Sequence, residues 1–412
     1  MITLQPRKTG TILKADAIWA GPGRLLRNAG MRIEGENIAE IAPFDRLDTS
    51  PGPVTDLGDA ILLPAFINAH THLDLSHLEG KTEKGGSFAG WMLAVAKARA
   101  LMLVIEKRSV RQGIGKVVAG GAATVGDVSV SGKSALLLAR RGLTGSTVYC
   151  ETVGLEPADA KRKADRLRST IEGIRSKTGI RPGIAPHAPY SVSPELFEKC
   201  FALADEFDLP LAVHAAESET EVELLVRGRG ELHGLMSRHN LLPPGWTAPG
   251  KRPIHYLDAL GVLEHRPLLI HCYQADASEA DLIARRGCSV AYCPRSNAFF
   301  RRPADPLYLL RDAGVNVALG TDSLASNDSL SMLDEMRFLH QQHPGLDWEA
   351  ILEMGTLNAA CAMNIDGGEL AAGGPADVTA IAPATATDIA ERIFGAQASV
   401  LFTMRKGRQL RA

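Results

Sequence analysis

Eight short apolar segments alternate with amphipathic ones, strand-like stretches flank them at both ends, and acid–base side chains gather where the apolar segments stop. Together these predict an α/β fold: a (β/α)8 TIM-type barrel with a small β-sandwich domain built from both termini. The terminal strands come first in the chain. Ile12-Leu-Lys-Ala-Asp-Ala-Ile-Trp19 precedes a Gly-Pro-Gly turn, and Met31–Ile38 alternates until Gly35 breaks it. At the other end Ala376–Ala382 and Ser399–Met404 read alike, followed by a turn at Lys406-Gly407. Residues 1–60 and 365–412 are therefore expected to share one composite β domain, with residues 61–364 forming the barrel.

Within the middle, the expected strands are Ile61–Asn68, Ala123–Val128, Ser146–Val153, Gly183–Pro186, Leu211–His214, Leu268–His271, Ser289–Cys293 and Asn316–Leu319. Helical patterns separate them, among them Ala158–Ser176, Pro194–Phe207 and Ala277–Arg286. Ser193 before Pro194 has the form of a helix N-cap with proline at the first helical position. Alternation alone admits a closed barrel or an open doubly wound sheet. Polar residues at the C-terminal ends of many different strands favour the barrel. The Pro- and Gly-rich stretch Leu241–Gly250 is expected to be an active-site loop.

Composition narrows the function. The 45 Lys and Arg nearly balance 47 Asp and Glu, which argues against nucleic-acid binding through a broad basic face. No apolar run approaches the length of a membrane span, and the N-terminus has no secretory pattern. Six scattered cysteines without a Cys-x-x-Cys pair fit reduced thiols in a cytoplasmic protein. A small-molecule substrate is expected, and assembly into a homo-oligomer stays open.

His70 and His72 close the first strand in Asn68-Ala-His-Thr-His72. Residues i and i+2 of a strand face the same way, so both imidazoles can aim at one point. His214 ends the fifth strand, three residues before Glu217; His271 ends the sixth; Asp322 follows the eighth in Gly320-Thr-Asp-Ser323. Singly, each has a plain alternative: a surface pair, a core histidine, or a helix cap. As a set, all fall where barrels place active sites. Three histidines and an aspartate offer nitrogen and oxygen ligands suited to Zn²⁺ with a position left for water, and Fe²⁺, Mn²⁺ or Ni²⁺ would also be accepted.

The ordered set Asn68–His72, Pro186-His-Ala-Pro-Tyr190, His214-Ala-Ala-Glu217, His271, Cys293-Pro-Arg-Ser-Asn297 and Gly320–Ser323 resembles the amidohydrolase superfamily. It resembles in particular the mononuclear branch that includes adenosylhomocysteine, methylthioadenosine and aminofutalosine deaminases and the triazine hydrolases. The resemblance implies one divalent cation held by His70, His72, His214 and Asp322. It implies Glu217 as proton shuttle and His271 as the base that orients water, with Asp322 also sharing in proton handling. His187, where binuclear relatives carry a bridging carboxylate, is implied as a substrate contact. The activity implied is deamination, a ring amino group replaced by hydroxyl from activated water.

Leu73-Asp-Leu-Ser76 is similar to the aminofutalosine deaminase pattern, and Trp91 matches a tryptophan that could stack on a base or ribose. Ala100 stands where adenosylhomocysteine deaminases carry a ribose-binding glutamate. Lys97, Arg99 and Arg295 are the cations available to an anionic substrate tail, with a plain solvated helix face as the alternative for the first two. Aminofutalosine is thus the expected substrate. A triazine-type C–Cl or C–N hydrolase, an adenosylhomocysteine or methylthioadenosine deaminase, and a non-catalytic scaffold barrel are the other readings. The last fits poorly with six functional groups all present.

Overall fold

The computed structural model describes residues 10–100, 105–302 and 305–412. Both ends of the chain enter one eight-stranded sheet. Its N-terminal strands Thr11–Trp19, Leu25–Glu34 and Asn37–Pro43 pair antiparallel in sequence. The C-terminal strand Val378–Ala382 pairs antiparallel with Ile61–Pro64, which joins the two ends. Both faces of these strands carry buried residues. Leu13, Ala15, Ile18 and Leu62 pack into a core of the sheet's own, while Ala17, Trp19, Ile61 and Leu63 join the main core beneath the helices.

The middle of the chain carries eight parallel strands in two four-stranded sheets. Phe66–Thr71, Ala122–Ser129, Thr147–Thr152 and Arg181–Pro186 form the first; Ala212–Ala215, Leu268–His271, Ser289–Tyr292 and Asn316–Leu319 form the second. Parallel bridges link Ile184 to Leu211 and Thr71 to Asp322, one at each seam between the sheets. Side chains from all eight strands, including Ile67, Val128, Tyr149, Ala185, Ala212, Ile270, Ala291 and Ala318, meet in one apolar cluster. Such near-continuous burial is expected of parallel strands covered by helices. The helices Ala160–Lys177, Pro194–Phe207 and Ala277–Arg286 lie where the sequence places them. Ser193 caps the second of these by accepting from the Leu196 amide at 3.2 Å.

One strand differs from expectation. The apolar run from Ile61 is two strands, because Ile61–Pro64 hydrogen-bonds into the terminal sheet and Phe66–Thr71 into the parallel one. A continuous apolar run does not reveal which sheet owns each half, since both halves are buried. All six cysteines are free thiols, and among the described residues no helix is long and apolar enough to cross a membrane.

Candidate metal centre and active site

The C-terminal ends of the parallel strands bring His70, His72, His214, His271, Glu217 and Asp322 together, all of them buried. Suitable ligand atoms of His70, His72 and His214 lie within 4.8 Å of one another. Asp322 Oδ1 is 3.7 Å from His70 Nε2 and 3.9 Å from His72 Nε2. Both ring nitrogens of His70 and Nδ1 of His72 are buried with no hydrogen-bond partner. Buried polar atoms are rarely left so, and a ring of unpaired imidazole nitrogens facing a carboxylate is what a cation would satisfy.

The local chain explains the convergence. Asn68 locks the first parallel strand to the eighth: its Nδ2 donates to Thr321 Oγ1 at 2.8 Å, and its Oδ1 accepts from the Thr321 amide at 3.1 Å. The Thr321 amide also lies 3.0 Å from the His70 carbonyl. Gly320 permits that approach, because a Cβ there would meet His70 backbone atoms at 2.9 Å. Ala216, His271, Cys272 and Asp322 all adopt left-handed φ, between 50° and 75°, at the strand ends. Such conformations are uncommon for these residue types and concentrate at functional sites.

Neighbouring groups fix the ring nitrogens. His214 Nδ1 faces the His187 carbonyl at 3.1 Å, so that nitrogen carries the proton and Nε2 keeps its lone pair. Tyr273 donates its hydroxyl proton to the Cys293 carbonyl at 2.6 Å, so it can only accept from His271 Nδ1, 3.3 Å away. His271 Nε2 is therefore unprotonated, and it lies 3.9 Å from Glu217 Oε1. Burial drives the His72 imidazole down to about 3, and holds His214 and His271 well below the usual histidine range. Neutral imidazoles are the form that binds a cation or takes a proton.

The carboxyls diverge. Burial opposes the charge of Asp322, but the histidines around it, His70 first, outweigh burial and hold it well below the usual range. Ser296 and Ser326 also donate to its Oδ2 at 2.8 and 2.7 Å. Burial pushes Glu217 up to about 7, with Arg302 pulling the other way. Arg302 Nη1 donates to the Glu217 carbonyl at 2.6 Å, and its guanidinium lies over the rings of Phe88, Phe300 and Tyr273. Two carboxyls driven apart by their surroundings are a common arrangement for dividing acid and anion roles.

A cavity of about 270 Å³ opens onto this cluster, lined among others by Trp91, Arg99, Glu151, His187, Glu217 and His271. Trp91 is held by its Nε1 donating to the Ala325 carbonyl at 2.7 Å, and it stacks on Phe88 at 5.7 Å. Of the residues expected to meet substrate, Trp91 and His187 reach this cavity and Arg295 does not. Arg295 is bound instead by Asn327, Asp328 and Glu335 beneath the loop after the eighth parallel strand. Arg99 is engaged by Glu151 and Lys97 is exposed outside the lining, so none of the three offers the cavity a free cation. The side chain of Ala100 lies outside the described residues. The Leu241–Gly250 stretch lines a neighbouring groove with Leu155, Glu195 and Tyr256, not this cavity. Arg302, Glu151, Ser296 and Ser326 carried no signal in the sequence, except that Ser296 falls inside the Cys293–Asn297 motif.

Comparison with known proteins follows this geometry. The model of the amidohydrolase family matches residues 61–410. The chain is 33% identical over 347 residues to an aminodeoxyfutalosine deaminase of Deinococcus radiodurans, covering 82% of this chain and 81% of that one. It is 30% identical over 373 residues to a 5-methylthioadenosine/S-adenosylhomocysteine deaminase of Nitratidesulfovibrio vulgaris, covering 87% and 80%. Among solved structures, Helicobacter pylori aminofutalosine deaminase in complex with methylthio-coformycin superposes with a TM-score of 0.86 at 24% identity, over 97% of this chain and 100% of that one. A Xanthomonas campestris adenosine deaminase with bound zinc gives 0.80 at 22%, over 98% and 93%.

Proposed function

This chain belongs to the amidohydrolase family, and we propose that within it the protein is a metal-dependent deaminase of adenine nucleosides, with aminofutalosine as the named candidate. The observation that carries the reading is the meeting, at one cavity, of four buried donor groups with a carboxyl held near neutrality. The similarity to proteins named as deaminases of adenosine derivatives supports the same substrate class.

We assign His70, His72, His214 and Asp322 as the residues that would hold one divalent cation. The three imidazoles and one carboxylate suit Zn²⁺, with Fe²⁺, Mn²⁺ or Ni²⁺ as alternatives. Such a cation supplies Lewis acidity and lowers the pKa of water at the site towards 7. Glu217 protonates the ring nitrogen beside the amino-bearing carbon, which makes that carbon electrophilic. His271, through its unprotonated Nε2, and Asp322 receive the proton of the attacking water. Oxygen adds to the carbon, the proton taken by His271 and Asp322 passes to the amine, the carbon–nitrogen bond breaks to release ammonia, and the proton left on the added hydroxyl returns to Glu217 as the carbonyl forms. Trp91 and His187 are assigned to contact the substrate.

Residues 61–364 are read as a closed barrel, and residues 1–60 with 365–412 as one composite β domain, built on a single eight-stranded sheet rather than the two-sheet sandwich expected from the sequence. Support for closure comes from the bridges at both seams and the shared apolar cluster. The pairing of Ile61–Pro64 argues for moving the boundary to residue 65. Ammonia release across aminofutalosine, adenosine derivatives, guanine and a triazine tests the function. Adenine nucleosides should be turned over and a chelator should stop them. Preference for the triazine would overturn the reading.

A further inference from the structure

One charged pair in the cavity has no part in the proton transfers. Glu151 sits at the end of the third parallel strand, and Arg99 near the end of the helix Phe88–Ala100. Arg99 Nη1 donates to Glu151 Oε2 at 2.7 Å, and the glutamate side chain is only 2% exposed. Its other oxygen, Oε1, is buried and accepts no hydrogen bond. Both residues line the cavity beside Trp91 and His187. Burial pushes the Glu151 carboxyl up, but Arg99, His187 and His72 outweigh it and hold the group at about 2. An ionised carboxylate only accepts hydrogen bonds, and an idle buried acceptor is costly. Whatever fills the cavity must bring it a donor.

We propose that Glu151, oriented by Arg99, is a specificity residue that accepts hydrogen bonds from the vicinal hydroxyls of the substrate's ribose. This rests on the nucleoside reading. Adenine has one hydrogen-bond donor besides C–H groups, its amino group, and that group occupies the reacting end near Glu217 and His271. With the amino group taken up there, the sugar hydroxyls are the donors left for Glu151. The negative charge also disfavours a carboxylate or phosphate at this point, so an anionic tail must leave the cavity by another direction. Ligand atoms of Glu151, His187 and His214 lie within 4.8 Å of one another, a spacing that could hold a cation. The guanidinium of Arg99 already meets that charge.

The test crosses two variants with two substrate pairs. Glu151→Gln keeps the shape, and Arg99→Met combined with Glu151→Leu removes the pair without stranding a charge. Aminofutalosine and adenosine are each compared with their 2′,3′-dideoxy counterparts, and inosine binding is measured by calorimetry. The variants should lose about ten- to a hundredfold in kcat/KM on the diols. They should stay within about twofold of wild type on the dideoxy compounds, weaken inosine in proportion, and retain metal. Equal losses on both members of a pair, or a second metal ion that disappears with Glu151, would overturn the Glu151 assignment alone. A metal-loaded wild type that neither deaminates these nucleosides nor binds inosine would overturn the nucleoside reading and this proposal with it.

Discussion

Two concavities adjoin on the same side of the molecule, sharing the chain around Pro189–Val192. The larger, about 540 Å³, is lined by prolines and by Trp246 and Tyr256, and its acids Glu156 and Glu195 are exposed. The smaller, about 270 Å³, carries buried histidines and carboxyls whose protonation is moved far from its ordinary range. Water reaches the acids of the first. In the second, dehydration makes each neighbour count, and groups of one type are driven to different states. Volume alone would pick the wrong groove; buried polar groups that lack partners identify the one with chemistry.

The sharpest way to break this contrast is to remove a donor. His70→Ala should lose the bound cation and with it several kcal/mol of transition-state stabilisation, on the order of 10⁴ in rate. Metal analysis beside ammonia release checks it, and full metal retention would remove His70 from the ligand set. Next comes Glu217→Gln, expected to lower turnover by about 10²–10⁴ while one metal ion per chain remains. Loss of metal in that variant would recast Glu217 as a ligand.

A pH profile gives a smaller effect. The acid role proposed for Glu217 requires its protonated form, and its carboxyl is raised to about 7. kcat/KM should therefore fall about tenfold per unit once pH exceeds that value, a limb that Glu217→Gln lacks. The same raised value means that the stability Glu217 contributes is full below its unfolded pKa of about 4.3 and lost as pH rises through about 7. An activity flat to pH 9 would sink the acid role. The smallest effect belongs to the larger groove: Tyr256→Phe should change kcat/KM by about twofold or less, equivalent to about 0.5 kcal/mol. A tenfold loss there would make the groove part of the site.

Much of the site was legible because its signals are local. A histidine or aspartate close after a short apolar run reads as a strand-end residue, and the structure gathers His70, His72, His214, His271 and Asp322, with Glu217, at one mouth. Trp91 and His187 followed from motifs. Arg295 failed for a physical reason: a long cation finds whichever carboxylates lie nearest, and Asp328 and Glu335 are brought to it only by the fold. The same limit hid Arg302, 85 residues from the Glu217 it restrains.

Alternating apolar and polar spacing, helix caps and strand-end polar residues depend on neighbours in the chain, so the sequence by itself determined the parallel α/β middle, the strand-rich ends and the histidines and aspartate that stand at the strand ends. Which half of the Ile61 run joins which sheet, which nitrogen of each imidazole keeps its lone pair, and which carboxyl is driven up or down were decided by the tertiary structure. Those outcomes depend on burial and on partners such as Cys293 for Tyr273, Arg302 for Glu217 and Arg99 for Glu151. Only the folded arrangement of the strands brings such distant residues within a hydrogen bond or an ion pair of each other.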